Sequence, residues 1–239
     1  MSNVRSGNRQ LLCPGLTVLF DLDGTLVDTA PDFQAVLNHL CAIHNVVPPS
    51  AQAIHSTVSS GARALITLSF NMGPENSRFP GLLQELLDSY ERQIDNTMAK
   101  LYPDMDRLLQ LLEQQSIPWG VVTNKPERFS KPLMAKLGLM SRCAVLICPD
   151  HVRYTKPHPE PLLLACTLTG GTAGQSIYVG DHPRDIEAGK AAGMKTIAAA
   201  YGYMPESPPV ESWEADLVVG SAKEIIDYFW PGRPPGLND

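Results

Sequence analysis

The amino-acid sequence predicts an α/β fold: a doubly wound parallel sheet with a small all-helical domain inserted just after the first strand. Three observations carry this prediction. Short apolar runs recur along the chain without alternating with polar residues, the pattern of strands buried on both faces. Helical patterns fill the gaps between them, as in βαβ units. One long stretch, from about Pro31 to Met98, contains no strand pattern.

In chain order, residues 1–14 read as a loose extension. Arg5 and Arg9 precede an apolar stretch, Leu11 to Phe20, that loosely mimics a secretion signal. Pro14 and Gly15 interrupt it, no small-residue cleavage site follows, and it runs into Asp21 and Asp23, so the signal reading is rejected. The first strand is expected over Thr17–Phe20. The helical domain, 31–98, rests on Phe33, Val36, Leu37, Leu40 and Ile43, and on Leu82, Leu83, Leu86, Leu87 and Tyr90, all at helical spacing. Pro48-Pro49 and Gly73-Pro74 punctuate it. The remaining strands are expected at Trp119–Val122, Ala144–Ile147, Ser176–Val179, Thr196–Ala199 and Leu217–Val219. Helices are expected after Pro103-Asp104, over Pro132–Leu137, over Pro157–Leu168 and over Asp185–Ala192. The sheet domain thus comprises 15–30 and 99–230. Residues 231–239, rich in Pro and Gly, read as a disordered tail.

The net charge is −6, which argues against nucleic acid as the main partner. No apolar run approaches the ~20 residues needed to span a bilayer. The five cysteines, Cys13, Cys41, Cys143, Cys148 and Cys166, form no CxxC pair. Neither a disulfide framework nor a structural zinc site is expected, and a reducing cytoplasm fits best. Cys148 and Cys166 sit in apolar runs and read as small core residues.

The polar residues fall in a telling place. The first strand runs into Asp21-Leu22-Asp23-Gly24-Thr25 and the second into Thr123-Asn124-Lys125. Lys156-Pro157 lies in the loop beyond the third. The fourth ends in Gly180-Asp181, with Asp185 four residues on. Open α/β sheets bind ligands at the carboxyl ends of their strands, near a switch in strand order. Four elements therefore deliver carboxylates, a hydroxyl, an amide and an ammonium to one rim. Taken singly, Asp23-Gly24 is also a common turn, Gly180-Asp181 an ordinary strand exit and Lys156 an ordinary loop lysine. Their joint occurrence in order is what points to a site.

Asp21-x-Asp23-Gly24-Thr25, Thr123-Asn124, Lys156-Pro157 and Gly180-Asp181-x-x-x-Asp185 together resemble the four motifs of the haloacid dehalogenase superfamily. The resemblance runs from about residue 17 to 230 and implies a Rossmann-like core. The helical insert falls where a cap domain sits in the subgroup containing phosphoglycolate phosphatases. The resemblance implies a magnesium-dependent phosphatase. Asp21 is then the nucleophile, forming an aspartyl-phosphate, and Asp23 the general acid and base. Thr123, Asn124 and Lys156 bind the phosphoryl oxygens. Asp21, the backbone carbonyl of Asp23 and Asp181 hold Mg2+, with Asp185 orienting the shell. An acid at position 23 favours phosphoryl transfer over carbon–halogen cleavage. It leaves a phosphosugar mutase and a pyrophosphatase open, and an inactive binding module would be expected to have lost one of these residues. His182 stands where relatives often carry a hydroxyl residue or a second acid; it either approaches the metal or faces solvent. Arg184 either faces the substrate or decorates a helix start.

The expected partner is a small phosphorylated metabolite. In the insert, Ser59-Ser60-Gly61-Ala62-Arg63 precedes an apolar helix with Leu65, Ile66 and Leu68. Ser59 and Gly61 would then offer an anion-binding helix start, and Arg63 would grip a carboxylate. The other reading is a capped helix bearing a solvated arginine. A substrate with both a phosphate and a carboxylate is implied by the first reading, and phosphoglycolate and N-acetylmuramic acid 6-phosphate both qualify. The stretches Gly120-Val121-Val122-Thr123-Asn124-Lys125-Pro126, Cys148-Pro149-Asp150-His151-Val152 and Tyr201-Gly202-Tyr203 are especially similar to N-acetylmuramic acid 6-phosphate phosphatases. The cap is expected to close over the site, hinging near Asp28-Thr29 and Lys100-Leu101.

Overall fold

The computed structural model describes residues 14–205 and 207–232. The extension expected over 1–14 and the tail over 231–239 therefore lie outside the described residues, except for Pro14, Pro231 and Gly232. After β1 (Val18–Phe20) come a short strand β2 (Val27–Asp28) and four helices: α1 (Ala30–Ile43), α2 (Ala51–Thr57), α3 (Ala62–Phe70) and α4 (Phe79–Ile94). The chain returns through β3 (Lys100–Leu101) and then alternates: α5 (Met105–Gln114), β4 (Trp119–Val122), α6 (Glu127–Lys136), β5 (Val145–Ile147), α7 (Glu160–Thr169), β6 (Ile177–Gly180), α8 (Pro183–Ala191), β7 (Lys195–Ala199), β8 (Leu217–Val219) and α9 (Ala222–Phe229).

Six strands form one sheet in the order β5-β4-β1-β6-β7-β8, every neighbouring pair parallel. The chain leaves β1 toward β4 and β5, then crosses back to β6 on the other side, so the strand order switches beside β1. Successive residues of β1 face opposite layers. Val18 and Phe20 pack into the larger core with Leu108, Leu112, Leu133 and Phe229. Leu19 packs into the second core with Val122, Leu162, Cys166, Tyr178 and Ala188. That two-sided burial is why the central strands lack polar alternation; the edge strands depart from it, since β5 is only partly covered and β8 leaves Val218 39% exposed. Cys148 and Cys166 are buried, as small core residues should be.

Some boundaries and contacts differ from the sequence expectation. The helix expected from Pro132 begins five residues earlier, at Glu127, and carries Pro132 inside it. One missing backbone donor is outweighed there by burial of Phe129, Leu133 and Met134. Ile43, read as part of the buried stripe of its helix, is 57% exposed because α1 ends with it. The crossings near Asp28 and Lys100 pair with each other as the antiparallel ribbon β2–β3, joining Val27 to Leu101 and Asp28 to Lys100.

Asp32 ties the two ends of the helical insert together. Its buried carboxylate accepts from the Met98 amide at 2.7 Å, Thr97 Oγ1 at 2.5 Å and Gln93 Nε2 at 3.2 Å. Asp32→Ala strands three donors and is expected to destabilise the fold by about 3 kcal/mol. In a chain of this size that lowers the thermal midpoint by roughly 6–12 °C. A midpoint within about 2 °C of wild type would contradict this account.

Candidate active site

Because the sheet is parallel, the carboxyl ends of β1, β4 and β6 share one edge, and the site residues follow directly from them. Asp21 leaves β1 with its amide bonded to Val179 of β6 at 2.9 Å. The chain then turns through Gly24 at a φ of +84°. Only glycine suits that position, since a Cβ there would overlap the Asp181 carboxylate. Gly202 comes equally close from the loop after β7, where a Cβ would overlap the Gly24 carbonyl.

Carboxylate oxygens of Asp21, Asp181 and Asp185 all lie within 4.8 Å of one another, and all three residues are buried. Lys156 enters between two of them. Its Nζ stands 3.0 Å from Asp21 Oδ1 and 2.6 Å from Asp185 Oδ1, and donates to the Tyr178 hydroxyl at 2.7 Å. The Tyr178 hydroxyl in turn donates to the Val122 carbonyl. Asn124 fixes the lysine loop, bonding the Lys156 carbonyl at 2.9 Å and its amide at 3.2 Å. One amide hydrogen of Asn124 remains for another acceptor. Thr123 Oγ1 accepts from the Lys125 amide, which leaves its own proton to donate.

One ammonium does not balance three buried carboxylates. Burial lifts Asp21 above the ordinary carboxylate range against the pull of Lys156, with Asp185 and Asp23 adding to the lift. Burial and the neighbouring Asp21 and Asp185 raise Asp181 as well. Burial works against the charge on Lys156, but Asp185 and Asp21 outweigh it and hold its pKa above the usual lysine value. The donor set, hard oxygens with excess negative charge, fits a small divalent cation.

His182 does not join the carboxylate cluster. It caps α8, its Nδ1 accepting from the Arg184 amide, and burial followed by the Arg184 charge lowers its pKa to about 4. The Arg184 guanidinium reaches across to the Ser59 carbonyl of the insert. Ser59, expected at a substrate-binding helix start, lies on the cavity wall and donates to Asp181 Oδ2 at 3.0 Å. The structure thus places the insert directly against the carboxylate cluster. Gly61 holds a φ of +85° at the start of α3. Arg63 lies on the cavity wall with its guanidinium over the Phe79 ring, and it has no acceptor among the described residues.

A cavity of about 430 Å³ opens from Asp21, Asp23 and Thr123 toward the insert. Phe33, Val58, Leu83, Leu87 and Phe129 supply its apolar wall. Leu83 and Leu87, read from the sequence as part of a helical stripe, are therefore only half buried. Sequence reasoning missed two polar residues here. Lys125 Nζ bonds Asp23 Oδ1 at 2.8 Å and the Tyr90 hydroxyl at 2.6 Å. Tyr90 stacks on Phe33 with ring centroids 4.3 Å apart. Adjacency to Thr123-Asn124 was the available signal for Lys125; Tyr90 showed only a core spacing. Tyr203 was noted only as part of a similar stretch. It donates its amide to Asp181 and its hydroxyl to Asp28, beside the ribbon.

The model of the haloacid dehalogenase-like hydrolases matches residues 18–199. An N-acetylmuramic acid 6-phosphate phosphatase of Pseudomonas aeruginosa is 44% identical over 213 residues, covering 89% of this chain and 93% of its own. A phosphoglycolate phosphatase of Xanthomonas campestris pv. campestris is 40% identical over 215 residues, covering 90% and 96%. A crystal structure described as a predicted phosphoglycolate phosphatase from Haemophilus somnus shares the fold, with a TM-score of 0.78 at 23% identity, covering 89% and 96%. This chain belongs to the haloacid dehalogenase-like hydrolase family. Within it, the chain is a phosphatase, a hydrolase of phosphoric monoesters. No helix among the described residues is long and apolar enough to cross a membrane.

Proposed function

We propose that this enzyme hydrolyses N-acetylmuramic acid 6-phosphate through a phosphorylated Asp21. The cavity carries the choice of substrate. Its volume of about 430 Å³ and its apolar wall suit a sugar-sized ligand, whereas phosphoglycolate would leave most of it empty. The relative of that name at 44% identity supports the same choice. The relatives named phosphoglycolate phosphatases keep the smaller substrate as the second reading. The deciding test is kcat/KM for both esters with the purified enzyme. A preference of about tenfold or more for phosphoglycolate would sink the sugar-acid reading.

In this mechanism, an Asp21 carboxylate oxygen attacks phosphorus while the ester P–O bond breaks. Asp23 gives a proton to the departing alkoxide, then takes one from the water that attacks the phosphoryl-aspartate. Thr123, Asn124 and Lys156 face the transferred oxygens, and the charge on Lys156 opposes the charge gathering there. Asp21, Asp181 and the Asp23 carbonyl would hold Mg2+, with Asp185 holding the surrounding shell. Bound there, the cation supplies charge neutralisation and draws an anionic ester toward carboxylates that would otherwise repel it.

Arg63 is proposed to read the lactyl carboxylate of the substrate, since it reaches the cavity wall without a partner among the described residues. Arg63→Ala is expected to lower kcat/KM for the carboxylated sugar by about one to two powers of ten, the worth of a charge-assisted hydrogen bond of ~1.5–3 kcal/mol. A small generic phosphate ester should barely respond. Equal losses on both would point instead to a damaged helical insert.

A further inference from the structure

Asp23 has an asymmetric environment that neither its motif nor the family assignment explains. Its Oδ1 accepts two hydrogen bonds, from Thr29 Oγ1 at 2.5 Å and from Lys125 Nζ at 2.8 Å. Its Oδ2 has no hydrogen-bond partner among the described residues, and Asp23 lines the cavity beside Asp21. With Oδ1 occupied by two donors, Oδ2 is the oxygen left open to the cavity. We infer that Lys125 is a positioning residue for the proton transfer: with Thr29 it pins Asp23 Oδ1, so that Oδ2 is the atom that meets the leaving oxygen. This rests on the acid role of Asp23 proposed above.

The restraint is anchored in the helical insert as well as in the sheet domain. Lys125 follows β4, and its side chain is only 7% exposed. It donates to the Tyr90 hydroxyl at 2.6 Å, and its Nζ stands 4.5 Å from the Tyr90 ring centroid and 5.2 Å from that of Phe33. Tyr90 and Phe33 belong to α4 and α1, so the lysine is oriented by aromatic residues of the insert. Thr29 sits at the crossing into that insert, next to β2. Both groups on Oδ1 therefore depend on where the insert is seated. When the Asp21 oxygen bonds to phosphorus and the ester bond breaks, the leaving alkoxide takes the proton from Oδ2. Asp23 is then a carboxylate whose Oδ1 is still held by the same two donors. The aim of Oδ2 is thus unchanged when it must later accept a proton from water.

The test uses the leaving group as its probe, because an alkoxide needs a proton to depart and a nitrophenolate does not. We compare kcat/KM for an alkyl phosphate, such as a sugar 6-phosphate, with that for p-nitrophenyl phosphate. The parameter covers events up to the first irreversible step, so it includes leaving-group departure and excludes hydrolysis of the phosphoryl-aspartate. Lys125→Met is expected to lower the alkyl-to-aryl ratio by about tenfold or more, a fraction of what general acid catalysis contributes. Tyr90→Phe keeps the ring on Phe33, removes one partner of Lys125, and should shift the ratio the same way by about two- to fivefold. Asp23→Asn is the reference and should shift it by about 100-fold or more. If Asp23→Asn leaves the ratio alone, the acid assignment itself falls. If Asp23→Asn shifts it but Lys125→Met and Tyr90→Phe lower both substrates equally or not at all, the inference about Lys125 is overturned. Should Lys125→Met fail to fold, an unmoved ratio in Tyr90→Phe overturns it alone.

Discussion

Asp21→Asn is expected to reduce turnover by about four powers of ten or more, the scale seen when a covalent nucleophile is removed. Asparagine keeps the shape of the side chain, so its carbonyl oxygen can still accept from the Leu22 amide, now 2.7 Å from Asp21 Oδ1. What disappears is the negative oxygen that would bond to phosphorus. The variant should fold. Burial already disfavours the charged form of Asp21, and Lys156 keeps its shorter ion pair with Asp185 at 2.6 Å. The thermal midpoint should therefore match or exceed that of wild type. Phosphate release measured alongside the midpoint checks both halves. Near-normal turnover in a folded Asp21→Asn variant would remove Asp21 from the role of nucleophile.

Stripping divalent cations with excess chelator is expected to lower phosphate release by about two powers of ten or more, and Mg2+ should restore it. The reason is the charge balance of the cluster: three buried carboxylates within 4.8 Å face one lysine ammonium. An anionic ester added to that set meets repulsion unless a cation is present. Calcium should fail to restore activity, because its larger and looser coordination would displace Asp21 from phosphorus. Binding can be read without turnover. Mg2+ at about 100 times its dissociation constant should stabilise the fold by ~2.7 kcal/mol, visible as a higher thermal midpoint. Asp181→Asn should abolish that shift while the protein stays folded. Full activity in the chelator, after removal of bound metal, would contradict the magnesium dependence.

Other parts of the site have separable consequences. The ratio test on Lys125 concerns aim of the proton donor, whereas Arg63→Ala concerns recognition of a distant carboxylate. The two should be independent, since Arg63 contacts neither Asp23 nor Lys125 by hydrogen bond among the described residues. Asp32 concerns neither and should show itself in stability. An Asp32→Ala variant that loses activity at low temperature, with its fold intact, would mean that pinning the ends of the insert also sets its seat over the cavity.

By itself, the sequence determined the sheet and the polar rim. Short continuous apolar runs, too short for helices, suit strands covered on both faces, and a parallel sheet puts all their carboxyl ends on one side. Asp21, Thr123, Asn124 and Asp181 therefore had to share an edge once the strands were recognised. The all-helical insert was legible from its spacing for the same reason. Short-range information was weaker at element boundaries: Pro132 looked like a helix start, yet tertiary burial of Phe129 and Leu133 carries the helix through it. Only the tertiary structure decided which groups meet across the rim and the insert. Ser59 turned out to lie on Asp181, His182 to cap α8, and Lys125 to join Asp23 to Tyr90, a contact spanning 35 residues on one side and 102 on the other. Periodicity reports whether a side chain faces the interior but not which partner it finds there. Tyr90 and Leu87 share one apolar stripe, yet one ends on an ammonium and the other on a cavity wall. That difference comes from the packing of α4 against α1 and α6, beside the loop that follows β4, which only the folded chain brings together.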